Sequence, residues 1–217
     1  MHVYFLSFKS DEWTSAKEIL LSYTSPERYI RVLRYVHTAD RKLSLYADLL
    51  TRMAITIHTP LTLDALHILY KENHKPFLFT DLPVDFNFSH TRNAILCCIS
   101  LDSTVGADIE VSVKAPFQIM DMIFHPNELK YISAANEIEK QKRFFKIWTQ
   151  KEAYTKRNGT GIICNLPDIN TLEPSIASTL FSWISHDYFC SVCGNLTNPP
   201  IFHQVSTKDI FDFFTSS

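Results

Sequence analysis

Hydrophobic and polar positions along the chain predict alternating short strands and amphipathic helices. His2 to Phe8 reads as a first strand, followed by a helix from Asp11 to Tyr23. Ser25-Pro26-Glu27 opens a second helix, with Ser25 placed to cap it and Pro26 in its first turn. A third helix, Asp40 to Ile57, carries apolar Leu43, Leu45, Leu49, Leu50 and Met53, and Thr62 to Tyr70 predicts a short fourth. Lys75-Pro76-Phe77 breaks the helical pattern, and Asp85 to His90 reads as an extended piece ending in a polar turn. Ala94 to Leu101 and Thr104 to Val111, separated by Asp102-Ser103, predict a strand hairpin at the midpoint. Beyond it, Pro126 begins a helix, and Gln141 to Arg157 forms a long one ended by Asn158-Gly159. Strands follow at Phe181 to Trp183 and Tyr188 to Val192, with a last turn at Lys208 to Phe214. The sequence divides into halves at 1–102 and 103–217, with no low-complexity linker between them.

Composition narrows the class. The chain has 217 residues, 46% of them hydrophobic, with 16 Phe and only 4 Gly, as expected of a packed globular protein. A net charge of -2 gives no whole-molecule field for nucleic acid or anionic membrane, so any anion binding is local. No apolar run approaches the roughly 18 residues of a membrane span, and the start lacks a signal-peptide pattern, so a cytoplasmic protein is expected. Five cysteines, two of them adjacent at Cys97-Cys98 in an apolar run, predict reduced core thiols. Cys190 and Cys193 have a spacing that suits zinc, but a structural site needs four ligands and no second pair follows.

Two stretches carry candidate chemistry. In Gly106-Ala107-Asp108-Ile109-Glu110 strand alternation turns Asp108 and Glu110 to one face, about 7 Å apart along the strand. Paired carboxylates beside a core suit Mg²⁺ with substrate phosphates; an exposed edge with two acids is the competing reading. In Trp148 to Lys156, helical periodicity puts Trp148, Glu152 and Lys156 on one stripe. Glu152 can supply a third metal oxygen and Lys156 can reach a phosphate, or the two form a plain surface pair. Arg28, Arg31 and Arg34 are spaced three apart on the second helix, which by itself describes a solvated face. Asn87-Phe88-Ser89-His90 offers donors to an anion.

Taken in order, these pieces resemble the phosphopantetheinyl transferases of the larger, single-chain type named after the surfactin-synthetase activator. The resemblance rests on Lys75-Pro76, Phe86-Asn87-Phe88-Ser89-His90-Thr91, Gly106-Ala107-Asp108-Ile109-Glu110, and Trp148 to Lys156 trailed by Gly159-Thr160-Gly161. It extends back to Ser25-Pro26-Glu27-Arg28 and forward to Val205-Ser206. It implies an α+β pseudo-dimer of two related halves, each a small antiparallel sheet with a long helix, with the active site in the cleft between them. It further implies that Asp108, Glu110 and Glu152 hold Mg²⁺ with the pyrophosphate of coenzyme A, and that Lys156 steadies a phosphate. Ser89, His90 and Lys75 then bind the nucleotide end, and Arg28 and Arg31 the 3′-phosphate.

The implied reaction moves 4′-phosphopantetheine from coenzyme A to a serine of an apo acyl or peptidyl carrier protein, with Glu152 taking the serine proton. A monomer with no nucleic-acid or membrane partner is expected. Two positions depart from the family pattern: His74 stands where Gly usually precedes Lys-Pro, and Leu43 stands where an Arg touches the nucleotide, with Arg41 or Lys42 as its replacement. Met120, Met122, Ile123, Leu129 and Ile132 form either a carrier-docking patch or core. The rival readings are another Mg²⁺-dependent phosphoryl enzyme, such as a hydrolase or nuclease, and a non-catalytic binding module of the same fold.

Overall fold

The computed structural model describes residues 1–10, 12–73, 75–160 and 165–216 and sets two α+β halves back to back. The first half runs β1 (His2–Ser7), α1 (Ser15–Leu21), α2 (Pro26–Arg34), α3 (Thr38–His58), a 3₁₀ turn at Leu63–Ala65, β2 (Ile68–Tyr70), β3 (Pro76–Leu78), β4 (Asp85–Thr91) and β5 (Ala94–Ser100). The second runs β6 (Gly106–Val111), α4 (Met120–Ile123), α5 (Pro126–Ser133), α6 (Glu137–Asn158), α7 (Pro174–Ala177), β7 (Leu180–Ser185) and β8 (Tyr188–Cys193). Then β9 (Ile201–Val205) returns to the first half, where it lies parallel to β1, and α8 (Thr207–Thr215) packs on α1 and α3. The sheets are ordered β4-β5-β1-β9 and β6-β8-β7, with β2-β3 a separate ribbon. Among the described residues no helix is long and apolar enough to cross a membrane.

Alternation along β1 and β5 explains how the halves adhere. Tyr4, Leu6, Ile95, Cys97 and Ile99 face α3, whereas Val3, Phe5, Ala94, Leu96 and Cys98 face β6 and β8 of the other sheet. Cys97 and Cys98, adjacent in sequence, therefore enter opposite cores as small hydrophobes. Burial pushes the thiols of Cys97 and Cys190 up to about 12, and Cys97, Cys98, Cys190 and Cys193 are all free. The second half has its own core between β8 and the helices, where Phe145 stacks on Phe189.

Local signals set the long helices. Ser25 Oγ accepts from Arg28 N at 3.2 Å, as its sequence position predicts, and Asn136 caps α6 by accepting from Glu139 N at 3.1 Å. Gly159 ends α6 in the left-handed region at φ 69°, which spares a Cβ clash. Gly106 is required for a different reason: a Cβ there would meet the Ala153 carbonyl oxygen at 2.0 Å and Arg157 N at 2.5 Å. Its hydrogen lets β6 lie against α6, the contact on which the candidate site depends. Gly106→Ala is expected to cost about 3 kcal/mol, the upper end for overpacking. The urea midpoint should fall with the slope unchanged; an unmoved midpoint would show that the strand and helix have room to part.

Three sequence expectations change. Thr62 to Tyr70 is not a helix: after the 3₁₀ turn Leu66 is extended, and Ile68–Tyr70 pairs with Pro76–Leu78. The midpoint hairpin does not form either. Ser100 Oγ donates to Asp102 Oδ1 at 2.7 Å and the chain turns away, so β6 pairs with β8 while β5 pairs with β4 and β1. The tail forms a helix with a Ser206–Asp209 capping box that buries Ile210 and Phe214, more than the single turn expected. The proposed starting residue of the first helix, Asp11, lies outside the described residues.

Candidate active site

The acidic strand and the long helix meet as their periodicities predict. Ala107 and Ile109 enter the core between the sheets, and Asp108 and Glu110 turn toward α6, where Trp148, Glu152 and Lys156 share one stripe. Lys156 Nζ lies 2.5 Å from Asp108 Oδ1 and donates to Ser89 Oγ at 3.0 Å; Ser89 Oγ in turn donates to the same Asp108 oxygen at 2.9 Å. Asp108 is 2% exposed, and its Oδ2 is buried without a hydrogen-bond partner. Trp148 Nε1 donates to Glu110 Oε1 at 3.2 Å.

Charge and burial work against these carboxylates. Burial, then the like charge of Asp108, raises the pKa of Glu110, opposed by the Trp148 hydrogen bond and Lys156 and reinforced by Glu152. Burial likewise raises Glu152, with Lys156 opposing and Asp108 adding to the rise. Three acids that feel one another in a poorly solvated place call for a cation. Lys156 supplies one, and Asp108 Oδ2, buried with no hydrogen-bond partner, is an oxygen that can accept another. All-oxygen donors of this kind suit Mg²⁺. The oxygens do not yet close on a point: among the described residues, the set of three or more His, Cys, Asp or Glu with ligand atoms within 4.8 Å of one another is His2, His58 and His203, elsewhere in the fold.

A cleft of about 660 Å³ opens beside this cluster, lined by Arg28, Arg31, Tyr35, Asp40, Leu43, Ser44, Tyr70, Lys75, His90 and Lys156 among others. The three acids are not on its wall; Lys156, which is, links them to it. Arg28 is fixed by Asp48 at 3.3 Å, Ser44 at 3.4 Å and Tyr70, so a buried guanidinium that the sequence pattern placed on a solvated face belongs to the cleft. Arg31 is the exposed member beside it. His90 stands at the opening, where crowding by the chain, then the nearby Lys156, lowers its pKa.

Lys75 lines the cleft, but its ammonium is held by Asp85 at 3.2 Å and by the carbonyls of Arg157 at 3.2 Å and Val105 at 3.4 Å. It braces the first half to β6 and α6. Neither Arg41 nor Lys42 replaces an arginine at Leu43. Arg41 Nε donates to the Tyr35 carbonyl at 2.7 Å, and Lys42 is buried, with Nζ 3.1 Å from both the Ser10 carbonyl and Asn93 Oδ1. Leu43 itself lines the cleft and gives it an apolar wall. The departure at His74 and Gly161 of the trailing turn lie outside the described residues.

Sequence reasoning missed the seam that aligns the two halves. Asp85 Oδ2 accepts from Val105 N at 2.8 Å, and Asn87 Oδ1 accepts from Ala107 N at 3.0 Å, so side chains of β4 satisfy backbone donors just before and within β6 across the gap between sheets. It also missed Lys151, adjacent to Glu152 but turned inward and fully buried against Glu128 at 2.9 Å. The stretch from Met120 to Ile132 is not one patch: Met120, Ile123 and Ile132 are core and Leu129 is packed against it, whereas Met122 is 74% exposed.

Fold and site together define a two-lobed α+β protein whose basic cleft abuts a cluster of three carboxylates. Comparison with known families gives the same answer. A model described as "4′-phosphopantetheinyl transferase, N-terminal" matches residues 9–100, and one described as "4′-phosphopantetheinyl transferase superfamily" matches residues 104–203. The chain belongs to the 4′-phosphopantetheinyl transferase superfamily. The 4′-phosphopantetheinyl transferase gsp of Aneurinibacillus migulanus is 32% identical over 143 residues, 66% of this chain and 59% of that protein. Sfp of Bacillus subtilis is 28% identical over 146 residues, 67% of this chain and 64% of Sfp. HetI of Nostoc is 32% identical over 123 residues, 52% of each chain. The matched region thus spans about three fifths of the first two relatives' length.

Proposed function

We propose that the protein transfers 4′-phosphopantetheine from coenzyme A to a serine of an apo carrier protein, releasing 3′,5′-adenosine bisphosphate. The observation that carries this reading is the shared carboxylate of Asp108: one oxygen on Lys156 beside a basic cleft, the other buried and unpartnered. Arg28, Arg31 and His90 give the cleft the donors a nucleotide phosphate needs, and membership of the family supports coenzyme A as the donor. Residues 1–102 would take the nucleotide end and residues 103–217 the metal acids and carrier contacts.

In the proposed reaction the carrier serine Oγ would bond to the β-phosphorus of coenzyme A as the bond from that phosphorus to the bridging oxygen breaks. The adenosine bisphosphate would leave with the bridging oxygen, and Glu152 would take the serine proton. Lys156 offsets charge on the pyrophosphate from the cleft side. Asp108, Glu110 and Glu152 would hold Mg²⁺, which when bound neutralises negative charge on the phosphate oxygens.

The test is incubation with coenzyme A, Mg²⁺ and a panel of apo carriers, read by mass spectrometry. A carrier that gains the phosphopantetheine mass supports the reading; phosphoester hydrolysis without any carrier, and no carrier modified, would contradict it in favour of a hydrolase. Met122, exposed on α4 in the second half, is the proposed docking contact. Met122→Glu is expected to raise KM for the carrier by about 10-fold with KM for coenzyme A unchanged. An unaltered carrier KM would remove Met122 from the interface.

A further inference from the structure

At the opposite end of α3 from the cleft, three histidines from three elements converge. His2 is on β1, His203 on β9 and His58 is the last residue of α3. One ligating nitrogen from each lies within 4.8 Å of the others. His2 Nδ1 is 3.1 Å from His203 Nε2, the His2 and His58 rings stack at 3.7 Å, and Tyr4 Oη is 2.7 Å from His58 Nε2. Tyr4 also stacks on His203 at 4.4 Å, so one phenol braces two of the three imidazoles. Asp40, which lines the cleft, is 18 residues before His58 on the same helix, roughly 27 Å at 1.5 Å per residue, so the two sites are separate.

We propose that His2, His58 and His203 form a binding site for one divalent transition-metal ion of the zinc type, which clips the returning strand β9 to β1 and α3.

The donor chemistry selects the ion. Imidazole nitrogens suit Zn²⁺, Ni²⁺ and Cu²⁺, whereas Mg²⁺ takes oxygens, so this site and the acidic cluster need not compete for one metal. Tetrahedral zinc with nitrogens at about 2.0–2.1 Å sets its ligand atoms roughly 3.3 Å apart, close to the 3.1 Å between His2 and His203. All three rings are half-buried, open enough for an ion to enter and for water to take a fourth position. The mechanical consequence follows from topology: β9 and α8 reach the first half only after the whole second half, and His203 is the point where an ion would fasten that return.

The experiment uses the full chain without a polyhistidine tag, stripped with chelator and titrated with Zn²⁺ by calorimetry, with metal per chain measured after gel filtration. One Zn²⁺ per chain is expected, with affinity lowered at least about 10-fold by His203→Gln and by His58→Gln and kept in Asp108→Asn. Zinc should raise Tm by several degrees in the wild type and not in the histidine variants. Co²⁺ should give tetrahedral visible bands that vanish in the same variants. Metal-free melts of each variant, compared with the metal-free wild type, separate loss of ligation from loss of fold, and the two variants sit on different elements. Zinc bound with equal affinity by His203→Gln and His58→Gln, zinc lost only in Asp108→Asn, or no zinc retained by the wild type would each overturn the proposal; none of these results bears on carrier modification.

Discussion

Asp108→Asn is expected to lower the rate of carrier modification by about 10²–10³-fold, the scale seen when one preorganised electrostatic partner of a reacting centre is removed. The substitution keeps the shape and leaves Oδ1 to accept from Lys156 and Ser89. What changes is the charge and the second oxygen, which here is buried without a partner. An amide NH₂ in that position has no acceptor among the hydrogen bonds of the site, so stability should fall too, by about 1–3 kcal/mol. That loss is small against a total of about 5–15 kcal/mol, and the protein remains overwhelmingly folded. A drop in kcat far larger than any drop in folded fraction therefore separates chemistry from structure. Full activity in Asp108→Asn would show that the carboxylate serves only to anchor Lys156.

The largest effect on stability is expected at Lys151, next to the proposed base. Its ammonium is fully buried and bonded to Glu128 at 2.9 Å and to the carbonyls of Leu166 at 2.8 Å and Ile169. Glu128 is equally buried: its other oxygen accepts from Thr171 N and Oγ1 at 2.7 Å, and it closes the capping box of α5 through His125 N. Lys151→Met leaves that carboxylate charged and uncompensated, a change that costs about 3–5 kcal/mol. Adding Glu128→Gln keeps acceptors for Thr171 while removing the stranded charge, so the double variant should be more stable than Lys151→Met alone. Chemical denaturation of the four proteins in the cycle reads the coupling. Additive losses would mean the two charges are screened from each other despite their contact. The two lysines of the helix motif thus divide their work: Lys151 faces inward and holds the second half together, and Lys156 faces the cleft.

Much of the site was legible because it rests on local periodicity. A period of two sends Asp108 and Glu110 to the face opposite Ala107 and Ile109, and a period near four puts Trp148, Glu152 and Lys156 on one stripe; both were read from residue order and appear in the fold. Caps at Ser25 and Gly159 were legible for the same reason. What depends on distant pairing was not. Nothing local distinguishes an Asp85 or Asn87 that accepts a backbone N–H across two sheets from one that faces water, and Lys75 looks the same whether it meets a phosphate or three protein oxygens. The pairing of β9 with β1 links residues about two hundred positions apart, beyond any window in which hydrophobic pattern carries information. Leu63, Leu66 and Tyr70, at i, i+3 and i+7, mimic helical spacing, yet Leu63 lies in a 3₁₀ turn and Tyr70 is extended, paired with Pro76 in the β2–β3 ribbon.

Asp108, Glu110 and Glu152 are proposed to hold one divalent ion together at the end of the basic cleft. Mn²⁺ binding followed by electron paramagnetic resonance, with and without coenzyme A, tests it most directly. One bound Mn²⁺ is expected in the presence of coenzyme A, weakened at least about 10-fold in Asp108→Asn and in Glu152→Gln. Undiminished binding in both variants would contradict it.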